Sequence, residues 1–106
     1  MNMSKRAKPV SLRPAELDRV ARQFRVLGEP MRLRILQVIC AGPLTVTEIV
    51  AATGATQSNV SRHLSLLASV GIVASQKDAQ FVYYSLSDSL VIKLCDLVHA
   101  QVVARR

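Results

Sequence analysis

Three pieces of sequence decide the reading of this chain: Thr45-Val46-Thr47-Glu48, the turn at Thr53-Gly54, and Thr56-Gln57-Ser58-Asn59-Val60-Ser61-Arg62-His63-Leu64. The first is a capping box, in which the Thr45 hydroxyl can accept from the Glu48 N–H while the Glu48 carboxylate reaches back. A short helix follows to Ala52, and Thr53-Gly54 turns the chain. Thr56 caps a longer helix that runs to about Ser69 and stops at Gly71. Its inward stripe is Val60, Leu64, Leu67 and Ala68. At about 100° per residue the opposite face carries Ser58, Arg62, Ser65 and Ser69, with Ser61 beside them. Serine is a poor helix former, so four of them are an unusual choice for an ordinary solvated face. A short helix, a tight glycine turn and a longer helix with polar outer positions form the helix-turn-helix plan.

The flanking sequence completes the plan. After Gly71 the period changes from helical to alternating. Val73 to Gln76 and Phe81 to Leu86 read as strands joined by Lys77-Asp78-Ala79-Gln80, a hairpin placed where a wing would be. Upstream, Ser11 and Pro14 open a first helix with apolar positions Leu17, Val20, Ala21, Phe24 and Leu27. Gly28 ends it, and Glu29-Pro30 starts a second helix that closes at Gly42-Pro43. Ser87-Asp88 caps a last helix from Ser89 to about Val103. The expected fold is mainly α with a small β-hairpin, a winged helix-turn-helix. Residues 1–10 are expected to be a flexible basic arm, and residues 11–106 the domain with its C-terminal dimerisation helix.

The chain has 106 residues, half of them apolar, and a net charge of +7. That suits one domain with an ordinary core and excludes a multidomain enzyme, an acidic tail or a cysteine-stapled scaffold. No apolar run approaches the roughly 18 residues of a membrane span. Lys5, Arg6 and Lys8 lead into Pro9 rather than into the apolar stretch of a signal peptide. A cytoplasmic protein that binds nucleic acid fits this balance best. Six of the seven net charges fall in residues 1–34, whereas residues 35–86 are neutral overall. Sequence reading must therefore rest on Gln57, the serines and Arg62, while the N-terminal third steers the protein or grips phosphates. Gln can bond adenine bidentately and Arg can bond guanine in a major groove about 12 Å wide. His63 lies near the flank of the core face, which suits packing or a phosphate contact better than base reading. Asn59 is open to either role.

The run Leu27-Gly28-Glu29-Pro30-Met31-Arg32-Leu33-Arg34-Ile35-Leu36 resembles the opening signature of the ArsR/SmtB family of winged-helix repressors. Thr56 to Leu64 is similar to that family's recognition helix, and Val82-Tyr83-Tyr84-Ser85-Leu86 to its wing strand. The resemblance spans residues 20–100. It implies a homodimeric bacterial repressor that binds an inverted repeat in double-stranded DNA and releases it on sensing an inducer. Carried over by position, it implies DNA contacts at Gln57, Ser58, Ser61, Arg62 and His63, with the wing residues Lys77 and Gln80.

The last helix supports a dimer independently of the resemblance. Leu97, Leu90, Leu94, Val98, Val91, Val102 and Cys95 form an apolar arc of roughly 160°, wider than the ~100° stripe of one core contact. The first helix is its companion, so Leu17, Phe24, Leu90, Leu94, Leu97 and Val98 are the expected interface.

Inducer chemistry is less legible. Where relatives carry a Cys-x-Cys on the third helix this chain has Thr45 and Thr47, which cannot replace soft thiolates. Where others build a zinc or nickel site on the last helix, Asp88 matches one ligand and Leu90, Gln101 and Ala104 match none. Cys40 and Cys95 are displaced from the paired thiols of redox-sensing relatives, which align near Gln37 and Val103. Two cysteines in a reducing compartment are commonly buried small hydrophobes. Cys95 and His99 share a helix face and, with a ligand from a second copy, could hold a metal or metalloid. Cys40, Cys95 and His99 are thus the sensing candidates.

Other function classes fit less well. No histidine has an acid–base partner in sequence, and there is no Gly-rich phosphate loop or Ser/His/Asp constellation, which argues against an enzyme. An RNA-binding module would display more exposed aromatics than Phe24, Phe81, Tyr83 and Tyr84 offer. The rival reading is a protein-interaction module that keeps the winged-helix fold without sequence-specific DNA binding or inducer sensing.

Overall fold

A computed structural model describes residues 11–105, so the basic arm expected over residues 1–10 lies outside the described residues. The element order is α1 (Pro14–Leu27), α2 (Pro30–Ile39), β1 (Leu44–Thr45), α3 (Val46–Thr53), α4 (Gln57–Ser69), β2 (Val73–Asp78), β3 (Phe81–Leu86) and α5 (Leu90–Ala104). This is a winged helix-turn-helix, mainly helical, as the sequence pattern predicts.

The caps show why the helices begin where they do. At α3 the capping box forms: Thr45 Oγ1 accepts from the Glu48 N–H at 3.2 Å, and Glu48 Oε1 accepts from the Thr45 N–H at 2.9 Å. Gly54 ends α3 in the left-handed region, at φ +74°, where a β-carbon would be strained. Thr56 Oγ1 accepts from the Asn59 N–H at 3.2 Å and opens α4. At α1 the cap differs from expectation. Arg13, not Ser11, is the flanking residue, and Glu16 Oε1 accepts its N–H at 3.0 Å.

Two features of the sheet correct the sequence reading. The hairpin strands extend further, and β2 pairs antiparallel with β3 from Val73↔Leu86 to Asp78↔Phe81. Lys77 and Asp78 therefore belong to the strand, and the turn is only Ala79-Gln80, with Ala79 left-handed at φ +55°. A third strand, β1, pairs with the other edge of β3 through Leu44↔Tyr84 and Thr45↔Tyr83, giving the order β1-β3-β2. Thr45 thus ends a strand and caps a helix at once.

The core joins α2, α3, α4 and the base of the wing. Ile35, Leu36, Ile39, Ile49, Val60, Leu64 and Leu67 are fully buried, and Ile72 and Val73 extend the cluster into β2. Val91, Ile92 and Leu94 of α5 pack against it only partly. No residue of α5 is buried. No helix among the described residues is long and apolar enough to cross a membrane.

Candidate nucleic-acid interface

α4 turns two distinct faces outward and inward. Val60, His63, Leu64 and Leu67 face the core. Gln57, Ser58, Ser61, Arg62 and Ser65 are exposed. Ala68, expected on the inward stripe, is exposed as well. The helix N-terminus is free of acidic side chains in its first turn. Its unpaired N–H groups and positive dipole end suit a phosphate beside Gln57 and Ser58. Ser58 Oγ lies 3.4 Å from Thr56 Oγ1, a contact that orients the serine at the helix start.

The wing adds a second exposed element. Lys77 and Gln80 are exposed at the far end of the hairpin from the core. Phe81 stands edge-on to Tyr83 at 6.4 Å between ring centroids, which stiffens the strand just after the turn.

His63, one of the DNA contacts that the resemblance implies, is placed on the inner side of α4. It is only 5% exposed, the one buried polar residue among those described. Its Nδ1 accepts from Arg32 Nη1 at 3.2 Å. Glu29 Oε2 lies 3.8 Å away and also accepts the Arg32 N–H at 2.9 Å. Arg32 Nε donates to the Val26 carbonyl. Burial is the main force holding the imidazole below its ordinary pKa, opposed by Glu29 and reinforced by Arg62 and Arg32. The Arg32 N–H is the main force holding the Glu29 carboxyl below its ordinary value. The packing role suggested by the position of His63 near the core flank is the one its burial supports.

Arg32 and Arg22, two of the basic residues of the N-terminal third, are both structurally engaged. Arg22 Nη2 donates to Ser69 Oγ at 3.2 Å, and Gln23 Nε2 donates to the Val70 carbonyl at 3.0 Å. These bonds tie α1 to the C-terminal end of α4. Ser69, expected on the free face, is occupied by this contact and by its own bond to the Leu66 carbonyl at 2.7 Å. Nothing in the local sequence of α1 signals a partner 47 residues away.

The sensing candidates meet across one cleft between α2 and α5. It has a volume of about 710 Å³, and Gln37, Cys40, Cys95, Asp96 and His99 are among its lining residues. Cys40 is exposed and donates its thiol to the Gln37 carbonyl at 3.0 Å. Cys95 is half-buried, and burial first, then the Asp96 carboxylate, push its thiol pKa up. No three His, Cys, Asp or Glu side chains among the described residues are disposed to hold a metal ion within one chain.

The expected interface residues are mostly outward. Leu97 is 72% and Phe24 55% exposed, and Leu17, Leu90 and Val98 are exposed beside them. Leu94 differs, because it is half-buried against the chain's own core.

Comparison with known proteins agrees with this architecture. Residues 29–75 match the model of the bacterial regulatory protein, arsR family. The chain is 42% identical over 77 residues to the probable mercury resistance operon repressor of Streptomyces lividans, a match covering 73% of this chain and 62% of that one. It is 39% identical over 77 residues to the HTH-type transcriptional regulator NmtR of Mycobacterium tuberculosis, covering 73% and 64%. The chain therefore spans under two thirds of the length of these relatives. The solution structure of the homodimeric winged helix-turn-helix DNA-binding domain of Mb0332 from Mycobacterium bovis, described as a possible ArsR-family transcriptional regulator, superposes with a TM-score of 0.77. That structure is 34% identical, and the match covers 94% of this chain and 91% of that one. With the capped helix-turn-helix, the wing and these likenesses in agreement, the chain belongs to the arsR family of bacterial regulatory proteins.

Proposed function

We propose that the protein is a cytoplasmic transcriptional repressor that binds an inverted-repeat operator in double-stranded DNA as a homodimer and is released by an inducer. The observation that carries the reading is α4, whose inner face lies in the core while Gln57, Ser58, Ser61 and Arg62 stand exposed near its N-terminal end. Lys77 and Gln80 of the wing supply a second contact, to the phosphate backbone. The dimer reading is supported by the exposed apolar residues of α1 and α5, and by the homodimeric state of Mb0332. Names of relatives as repressor and transcriptional regulator support a non-enzymatic role.

The test is selection of bound duplexes from a random pool, followed by Arg62→Ala. Arg62→Ala should weaken binding to the selected duplex by about 1–3 kcal/mol and binding to random duplex much less. Equal losses refute base reading by Arg62. Enrichment of no motif favours the protein-interaction reading instead.

Inducer release is assigned to the α2–α5 cleft, because Cys40, Cys95 and His99 all line it. A metal or metalloid there requires donors from a second copy, whereas thiol oxidation requires none. Titration of the reduced protein with zinc or arsenite, and separately with a thiol oxidant, should change DNA affinity in one arm. Unchanged affinity in all three arms sinks the sensing role of the cleft.

A further inference from the structure

Val60, Leu64 and Leu67 hold α4 against its own chain through fully buried apolar contacts. Apolar contacts are non-directional, so they fix where a helix lies more firmly than how it is turned about its axis. On the same buried face sits one directional contact, the bond from Arg32 Nη1 to His63 Nδ1 at 3.2 Å. The Arg32 guanidinium is itself held by the Val26 carbonyl at the end of α1, and its backbone N–H is capped by Glu29 at the start of α2. Arginine only donates, so His63 must offer a lone pair at Nδ1 and carry its proton on Nε2.

We propose that Arg32 and His63 are positioning residues for DNA recognition: their hydrogen bond, anchored at the α1–α2 junction, fixes the rotation of the N-terminal half of α4 about its axis, as the Arg22–Ser69 bond ties its C-terminal end. The inference rests on the reading of α4 as the DNA-reading helix. Side-chain tips lie roughly 5–6 Å from a helix axis, so a turn of about 10° displaces them by about 1 Å. That displacement takes a hydrogen bond to a base edge out of its working range. Arg62 is adjacent to His63 in the chain and turns with it. A base-reading residue and the bond that aims it are thus neighbours in sequence, about 100° apart around the helix, one exposed and the other buried.

The experiment compares His63→Leu with His63→Asn. Leucine fills the buried site without an acceptor. Asparagine places its carboxamide oxygen near the position of Nδ1 and keeps the acceptor. Each variant is measured against a duplex selected by the wild-type protein and against random duplex, with thermal unfolding in parallel. We expect His63→Leu to lose about tenfold in the ratio of selected to random binding, and His63→Asn to recover most of it. Arg32→Lys, which keeps the charge but not the planar fork, should lose the ratio as His63→Leu does. Nitrogen-resolved NMR of the free wild-type protein should show His63 as the Nε2–H tautomer. A folded His63→Leu that discriminates as well as wild type overturns the inference, as does the Nδ1–H tautomer. If His63→Leu does not fold, His63→Asn and Arg32→Lys decide: ratios that fall equally in both overturn it. Enrichment of no motif by the wild-type protein overturns the DNA-reading proposal and this inference with it.

Discussion

α4 and α5 are of similar length, yet they settle in opposite ways. α4 is rich in serine and buries four residues. α5 is apolar in most of its residues and buries none. Segment hydrophobicity therefore does not say which helix is anchored. Arrangement does: Val60, Leu64 and Leu67 of α4 recur on one narrow stripe that a single core can cover, leaving only Leu66 and Ala68 of its apolar residues outside. Those of α5 spread over an arc too wide for the body of one chain, which takes only Val91, Ile92 and Leu94. The surplus, including Leu90, Leu97 and Val98, remains exposed.

The sharpest way to break this contrast is truncation. Leu64→Ala in α4 should cost roughly 2–5 kcal/mol of unfolding free energy at every protein concentration, because it empties a fully buried site. Leu97→Ala in α5 should cost little in dilute solution and progressively more as concentration rises, the outcome expected if the exposed Leu97 packs in the proposed homodimer. Denaturant unfolding over a range of concentrations measures both, and equal, concentration-independent losses would remove the distinction between the helices.

A smaller difference lies at the helix starts. Thr56→Ala removes the bond to the Asn59 N–H and should cost about 1 kcal/mol. Ser89→Ala should cost almost nothing, since the Ser89 side chain makes no capping bond and Asp88 Oδ1 accepts the Leu90 N–H instead. A Ser89→Ala loss as large as that of Thr56→Ala contradicts this assignment.

The last difference shows only on acidification. Burial holds His63 of α4 below its ordinary value of 6.5, so between the folded and unfolded pKa values the unfolded chain binds more protons. The stability due to neutral His63 is complete above 6.5 and is lost as pH falls through 6.5 toward the folded value. Unfolding midpoints taken well above and well below that pH should converge between wild type and His63→Asn on the acid side. Parallel pH profiles would show that the imidazole is not held neutral.

Local signals carried most of this architecture. Thr45, Glu48, Gly54 and Thr56 act within four residues of themselves, so capping and turn chemistry place α3 and α4 correctly. The helical period likewise separates Val60, Leu64 and Leu67 from Ser58, Ser61 and Arg62. What escaped reading depends on distant partners. β1 has only two residues, too few to show a period, and exists because β3 offers a free edge. Lys77 and Asp78 look like turn residues but complete the ladder opposite Val82 and Phe81. His63 sits at the flank of its helix, and its contact with Arg32, 31 residues earlier, has no local signal. The shared cleft of Cys40 and Cys95 follows from the docking of α5 on α2, which no spacing encodes.

The short pairing of Leu44–Thr45 with Tyr83–Tyr84 has a topological consequence. It closes a loop that runs from residue 44 to residue 84 and contains the whole helix-turn-helix and the rest of the wing. A clasp of this kind favours opening of the enclosed segment as one unit, because closing the loop lowers the entropy that α3 and α4 gain by leaving the core. Amide protons of α3, α4 and β3 should then exchange with solvent in a common opening event, while those of α5, which lies outside the loop, open independently.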